Sequence, residues 1–405
     1  MKNYIFLNTT IANVGGAERY ISNKCEHLKK LQYNVYVFSF EKGDVIIPNL
    51  KEFQQYVLPE LKVPFQRSTA TIRNVILSAF LNLQLKGSII IESNINNLNF
   101  WGEFIAQKLG AYHICYLLPE NNILYNKKTD YEYYKFKYNQ GSLYGITDHT
   151  IADMMNDGYS YLGTHLKAVG CSYNAVDDVN VYDIDNWKKA DFNILSLGRL
   201  NKPYITYMLD AVIRFAHQYE NKTINLIIIG GYITRPVSKL LNWINTELSN
   251  VVVYNLGEIT PISKNLFEIA DVAIAVAGCA NICKRQGLPT ITIDAKDFKG
   301  IGILGITTDN STFRGIEDPI AIEELMGHVL VDKLFQKSNL PKTFKIEEID
   351  YSQHDQLLHL PAHWEYYKVS HRPDTITAAI IKFLLWILGC KNYFRVISRL
   401  KKNYD

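Results

Sequence analysis

The chain reads as an α/β protein built from two doubly wound, Rossmann-like units, and three observations predict this. Short apolar, β-rich runs alternate with helical stretches from the N-terminus to about residue 170. A polar stretch rich in Asn and Asp, residues 172–191, then interrupts the alternation, which restarts at Asn193. The restart reads ILSLGRL-NK, a helical run, then INLIIIGG, so two buried strands end in Gly198-Arg199 and Gly230-Gly231. Such alternation argues for parallel sheets covered on both faces.

In the first half, an apolar run at 4–8 leads through the Gly15-Gly16 turn into a helix over 17–31, followed by a strand at 34–40. Further strands are expected at 88–92, 112–118, 143–147 and 165–169, with helices over 68–85, 97–109 and 148–157 between them. The second half places strands after Asn193 and at 225–229, 251–255, 272–276 and 290–294. No internal sequence repeat relates the halves. The expected organisation is an N-terminal Rossmann-like domain over 1–175, a linker over 176–192, a second Rossmann-like domain over 193–350 and a helical tail over 351–405. A chain of 405 residues suits two domains.

Composition narrows the class. At 47% hydrophobic and 20% charged the chain matches a soluble globular enzyme. A net charge of +3 sets up no field for nucleic acid, and no nucleic-acid partner is expected. The N-terminal apolar run is too short for a secretory signal. The six cysteines lack framework spacing and read as reduced, cytosolic thiols. Cys279 and Cys283 lie one helical turn apart without a matching His or Cys pair, and no metal site is expected. His354, His359 and His363 flank Pro361, which breaks any shared helical face.

The strand ends carry the chemistry. A strand that stops at glycine lets backbone N–H groups approach an anion, and a following helix adds its dipole. Arg199 and Lys202 add fixed positive charge at the end of the 194–198 strand. Gly15 and Gly16, Gly198, Gly230 and Gly231, and Gly278-Cys279-Ala280 are therefore candidate phosphate contacts. Thr307 and Thr308 join them as polar contacts, with Asp309 and Asn310 beside them. Ligands of open α/β sheets bind at such strand ends, here across a cleft expected between the two halves. The acid–base candidates are Glu120, Glu92, Asp148 and His149, with Glu120 favoured because it follows a strand end. His113 lies inside an apolar strand and reads as a core histidine. KGIGILG contains GxGxxG at Gly300, Gly302 and Gly305, but a TTDNS turn follows it, so a dinucleotide site is not supported.

The residues quoted above resemble a known family. NTTIANVGGAERYISNKCEHLKKLQYNVYVFSF is similar to the opening of family 4 glycosyltransferases, and ILSLGRLNKPYITYMLDAV to their GR…K segment. VVVYNLGEITPISKNLFEIADVAIAV and GLPTITID resemble the stretches flanking the family's donor motif. The resemblance runs from Met1 to about Phe313. It implies a GT-B fold and transfer of a sugar from a nucleotide-diphosphate donor, with retention of configuration and without a required metal or other cofactor. It assigns Arg199 and Lys202 to the donor diphosphate, and Gly15 and Gly16 to donor phosphate or acceptor. The chain departs from the family at the donor motif. The paired glutamates are missing, because no glutamate lies between Glu268 and Glu317, and AVAGCANICKRQGLP stands in their place.

The main expectation is a cytosolic hexosyltransferase that extends a surface polysaccharide on a glycan or lipid-linked acceptor. A catalytically inactive partner that binds nucleotide or glycan is the alternative, and a GT-B isomerase acting on the sugar nucleotide alone is a third reading. The tail adds a further element: 375–390 is apolar with one lysine, and 391–402 is basic. It reads either as a helix packed over the first domain or as a peripheral membrane contact from Ile380 to Lys402. In the second case Lys382, Lys391, Arg395, Arg399, Lys401 and Lys402 face anionic lipid at the inner surface of the cell membrane.

Overall fold

The structure, a computed structural model, describes residues 2–12, 15–45, 47–119, 124, 128–147, 149–166, 169, 176–177, 182, 184, 187–259, 261–336, 349–359, 361, 363–372 and 375–402. The chain forms two compact units, Met1–Cys171 together with Glu348–Asp405, and Ser172–Glu347.

The first unit opens with β1 (Lys2–Asn8), α1 (Gly16–Lys30), β2 (Tyr33–Ser39), β3 (Gln54–Val57) and α2 (Ala70–Leu81). It continues with β4 (Ser88–Ser93), α3 (Asn96–Leu109), β5 (Tyr112–Leu117), α4 (Thr129–Asn139), β6 (Leu143–Gly145) and α5 (Thr150–Met155). The second unit comprises β7 (Val176–Asp177), β8 (Phe192–Leu197), α6 (Tyr204–Gln218), β9 (Ile224–Ile229), α7 (Arg235–Glu247), β10 (Val251–Gly257) and β11 (Ile262–Ser263). Then come α8 (Lys264–Ile269), β12 (Val272–Ala275), α9 (Gly278–Arg285), β13 (Thr290–Ile293), β14 (Gly300–Ile303) and α10 (Ile322–Leu330). The chain returns to the first unit with α11 (Ser352–Gln356) and α12 (Ile376–Lys402).

Both main sheets have the doubly wound strand order. The first runs β3-β2-β1-β4-β5-β6 and the second β10-β9-β8-β12-β13-β14. In each, the order reverses beside the unit's first long strand, between β1 and β4 and between β8 and β12. Side chains alternate between the two faces along each strand. Ile5 and Leu7 of β1 enter one core cluster while Tyr4 and Phe6 enter another. Leu226 and Ile228 of β9 part from Ile227 and Ile229 in the same way. Each strand buries both faces, so both must be covered by helices, and each such side chain contributes about 1.5–3 kcal/mol.

Local chemistry sets the helix limits. Thr69 caps α2 by accepting from the Ile72 amide at 3.3 Å. Gly110, at φ 65°, stops α3 in a left-handed turn.

The structure revises several expectations. The sheet of the second unit is not wholly parallel: β14 pairs antiparallel with β13. The loop between Ile293 and Gly300 is too short for the crossover that a parallel return needs. The glycines of KGIGILG thus lie in and just after an edge strand, and the next helix, α10, begins only at Ile322. The strand expected at 143–147 is confined to β6, and His165 makes a single parallel bridge to Gly145. Residues 167–168 lie outside the described residues. The expected linker range contains β7, which pairs with β11. The sequence reading missed β3, α4 and α10 altogether.

Glycine at 230 is a packing requirement. A Cβ there would lie 1.8 Å from the Gly198 carbonyl oxygen, which is fixed backbone. Gly230→Ala is expected to lower the denaturant-derived stability by about 3 kcal/mol. Gly16→Ala, with nothing within 4 Å of the added Cβ, is expected to stay within about 0.5 kcal/mol of the parent.

Candidate functional site

The strongest candidate is the switch point of the second unit. Register pairs Leu197 of β8 with Ala275 of β12. The chain therefore leaves the sheet at Gly198-Arg199 and at Val276-Ala277 on neighbouring strands. Past β8, an exposed Arg199 and a half-buried Lys202 precede α6 in consecutive turns, with the Lys202 amide on the Arg199 carbonyl at 3.4 Å and the Ile205 amide on the Lys202 carbonyl at 3.1 Å. Past β12, Gly278, Cys279 and Ala280 are the first three residues of α9. Their N–H groups have no acceptor within the helix. No side chain caps α9, and no acidic residue stands in its first turn. A helix N-terminus without a side-chain cap and cations at adjoining strand ends favour an anion.

Ala277, the residue before α9, is held at φ 54°, ψ −128°. A non-glycine residue seldom adopts this backbone, and such strain gathers at functional sites. Its amide donates to the Ser311 carbonyl at 2.7 Å, and its carbonyl accepts from the Asn281 amide at 3.2 Å. These two bonds set the angle at which α9 leaves the sheet. The signal in the sequence was Gly278 alone; the strain at its neighbour was not legible.

The expectation that Gly198 and Gly230 offer amides to a phosphate is corrected. The Gly198 amide donates to the Ile229 carbonyl at 3.0 Å and the Gly230 amide to the Gly257 carbonyl at 2.8 Å, extending the ladder past the strands. Gly198 sits at φ 154° and its absent Cβ admits the Tyr204 hydroxyl. Gly231 accepts from the Leu200 amide at 2.9 Å, and a Cβ on it would lie 2.7 Å from a Glu258 carboxylate oxygen. The end of β9 is thus closed by sheet bonds and shadowed by an acid.

Thr307 and Thr308 close the turn after β14. Thr307 Oγ1 accepts from the Ile303 amide at 2.8 Å. Thr308 Oγ1 donates to Glu317, which also accepts from Asn310 Nδ2 at 2.8 Å and the Gly315 amide at 2.7 Å. Led by the Thr308 bond, these contacts pull Glu317 down to about 2. The Lys284 stem lies against Gly305, beside the same turn.

At the switch point of the first unit the electrostatics are reversed. Gly15 precedes α1 and Gly16 begins it, but the buried Glu18 stands in the first turn, its carboxylate 2.5 Å from where a Gly15 Cβ would be. The chain's own carboxylate supplies the negative charge that this helix end favours. Glu120 and Asp148 lie outside the described residues. His149 is the exposed residue before α5.

Glu92 is corrected from an acid–base candidate to a structural hub. It is fully buried at the end of β4 and accepts from Tyr4 at 2.5 Å, Tyr20 at 2.8 Å, Asn94 at 2.9 Å and Lys24 at 2.5 Å. Burial opposes its charge, yet Lys24 and these donors hold it below the ordinary carboxylate value. Burial in turn pulls the Lys24 ammonium down.

Ser93, His113 and Glu103 form a second buried network. His113 Nε2 meets Ser93 Oγ at 2.8 Å and Nδ1 meets Glu103 at 2.8 Å, the order of a nucleophile, base and carboxylate. All three are fully buried and Ser93 also donates to Asn99 at 2.5 Å, so the trio is a packed core network. His113 is a core histidine, as its place in an apolar strand suggested. Lys137 donates to Glu103 at 3.1 Å and to the His113 carbonyl at 2.6 Å. Among the described residues no cluster of His, Cys, Asp or Glu is arranged to hold a metal, and Cys25, Cys115, Cys279, Cys283 and Cys390 form no disulfide.

The comparisons with known proteins add the fold. No family model matches the chain, and no curated protein matches it. Among solved structures it is similar to Anabaena HepE in complex with UDP, at 13% identity and a TM-score of 0.58, over 88% of this chain and 100% of that one. It is also similar to a glycosyltransferase from Rickettsia africae, at 13% identity and a TM-score of 0.54, over 88% and 93%. With two Rossmann-like units of doubly wound order, these likenesses place the chain in the GT-B fold class.

The buried histidine makes a pH prediction. Burial, then Lys137, lowers His113 from 6.5 to about 4. Between those values the unfolded chain binds a proton that the folded chain refuses, so stability falls as pH drops from 6.5 toward 4. Burial pushes Glu103 up, but Lys137 and His113 outweigh it and hold the group at about 2, so its contribution is lost only below 4.5. In His113→Asn the acid-side fall in denaturation midpoint is expected to begin near 4.5 instead of near 6.5.

Proposed function

We propose that the chain is a glycosyltransferase that moves a sugar from a nucleotide-diphosphate donor to a glycan or lipid-linked acceptor in surface polysaccharide synthesis. The observation that carries this reading is the contrast between the two switch points. The second unit presents Arg199, Lys202 and the uncapped start of α9, whereas the first fills its helix end with Glu18. In the proposed step the acceptor oxygen bonds to the anomeric carbon as the bond from that carbon to the donor phosphate oxygen breaks. The nucleoside diphosphate leaves with the electron pair, and the acceptor proton passes to that diphosphate or to Glu120. Arg199 and Lys202 stabilise the charge gained by the leaving group.

Retention of configuration, independence from metal and the hexosyl class rest on the family resemblance, and action on the cytoplasmic face of the membrane belongs to the same proposal. The UDP bound to Anabaena HepE supports uridine nucleotides as the first donors to test. The absence of glutamate between Glu268 and Glu317 favours a second reading, a GT-B protein that binds nucleotide without turning it over.

Thermal shift against UDP, GDP, dTDP, CMP and their sugar conjugates separates the outcomes. A ligand at a hundred times its Kd adds about 2.7 kcal/mol of stability. Lys202→Ala is expected to cut donor turnover about 100-fold without loss of fold. Undiminished turnover in that variant removes Lys202 from the mechanism. A nucleotide shift with no turnover or hydrolysis of any conjugate establishes the second reading, and product formed without acceptor identifies an isomerase.

A further inference from the structure

α12 divides into two faces. Ala378 and Leu385 are buried, Leu385 enters the core of the first unit, and Ile381, Cys390, Tyr393 and Phe394 pack against that core. This face rests on the short turns Pro59–Lys62 and Phe65–Arg67. About half a helical turn away, at spacings of three and four, Ile376, Ile380, Phe383 and Ile387 form one stripe, flanked by Leu384 and Trp386. Their exposures run from 38% to 82%, and Trp386 stands 70% exposed. Six large apolar side chains in one continuous stripe are more than scattered surface hydrophobics.

The charge carried by α12 itself has one sign, although Glu60 of the Pro59–Lys62 turn lies near Cys390 on its packed side. Residues 376–402 contain no Asp or Glu. Gly389, at φ 68° and ψ 163°, breaks the helix, and the part beyond it carries the exposed cations Lys391, Arg395 and Arg399. At the other end Lys382 donates to the His371 carbonyl at 2.9 Å, beside exposed His371 and Arg372. Burial and the nearby Arg73, Lys382 and Arg372 lower the His371 pKa, so cationic groups converge there.

We infer that α12 is an in-plane anchor for an anionic lipid surface, with its apolar stripe among acyl chains and its flanking cations on phosphate headgroups. The stretch Ile376–Arg399, 24 residues, has the length and composition to cross a membrane. Its opposite face, however, is core packing for the first unit, so the helix lies along the interface. Trp386 and Phe383, with ring centroids 6.0 Å apart, are the aromatic pair at the headgroup level. This inference does not rest on donor chemistry, and its test reads no sugar transfer.

The full chain is mixed with vesicles of phosphatidylcholine alone or of equimolar phosphatidylglycerol and phosphatidylcholine, and binding is followed by flotation and tryptophan fluorescence. Binding to the anionic vesicles is expected, with a blue shift that disappears in Trp386→Phe. The triple change Lys391→Gln, Arg395→Gln, Arg399→Gln is expected to weaken it roughly 100-fold, since each cation near the surface is worth about one kcal/mol. Ile380→Ser with Ile387→Ser should abolish it while circular dichroism and melting stay those of the parent. Absence of vesicle binding overturns the inference. So does a dimer, seen by light scattering without lipid, that the Ile380→Ser, Ile387→Ser variant dissolves, because a second copy then covers the stripe.

Discussion

Burial of both faces of each parallel sheet is the constraint on which the rest of this structure depends. Strands such as β9, buried along its whole length, leave no side chain free for chemistry along the strand. Outside buried networks such as Ser93–His113–Glu103–Lys137, polar groups and charge gather at the strand ends, where the chain turns out of the sheet. The doubly wound order then singles out two of those ends in each unit, because neighbouring connections there depart to opposite faces. Function has few places to sit, and the chemistry at those places distinguishes the two units.

The two switch points differ in how their helix termini are satisfied. In the first unit a buried glutamate answers the dipole of α1, and a second buried glutamate, Glu92, collects four donors including an ammonium. Those charges are spent internally. In the second unit the ladder closes over Gly198 and Gly230, yet α9 starts without a cap beside Arg199. Strain at Ala277 belongs to the same design. Two bonds from neighbouring backbone, to Ser311 and from Asn281, hold a conformation that costs about 1–3 kcal/mol elsewhere.

The tail meets a different constraint. One helix serves two surroundings, core on one side and an exposed apolar stripe on the other, and a soluble surface does not need the second. Leu385 and Trp386 are adjacent in sequence yet stand at 2% and 70% exposure. The sequence alone left both readings of this segment open, packing on the first domain and contact with lipid. A helix has two sides, so the packing seen on one of them leaves room for the other.

Much of the fold was legible in the chain because strand burial writes itself as continuous apolar runs, and the units' β–α alternation follows from it. Of the elements missed, α10 did carry apolar residues at helical spacing, Ile322, Leu325, Met326, Val329 and Leu330, whereas α4 and β3 had no such signature. α4, TDYEYYKFKYN, is polar and aromatic on all sides, and β3 is a short, half-exposed edge strand. Of the site, Arg199, Lys202 and the start of α9 could be read from residue type and position. The engagement of the Gly198 and Gly230 amides could not, because a glycine at a strand end looks the same whether its N–H is donated to the ladder or left open. Sequence by itself determined the two-unit alternation, the glycines that follow β8 and β9 and the charge carried at Arg199 and Lys202, since these are properties of residues and their spacing. Only the tertiary structure decided which amides the sheets consume, that β14 runs antiparallel, and that Glu18 and Glu92 are buried, because partners far apart in the chain set each of these.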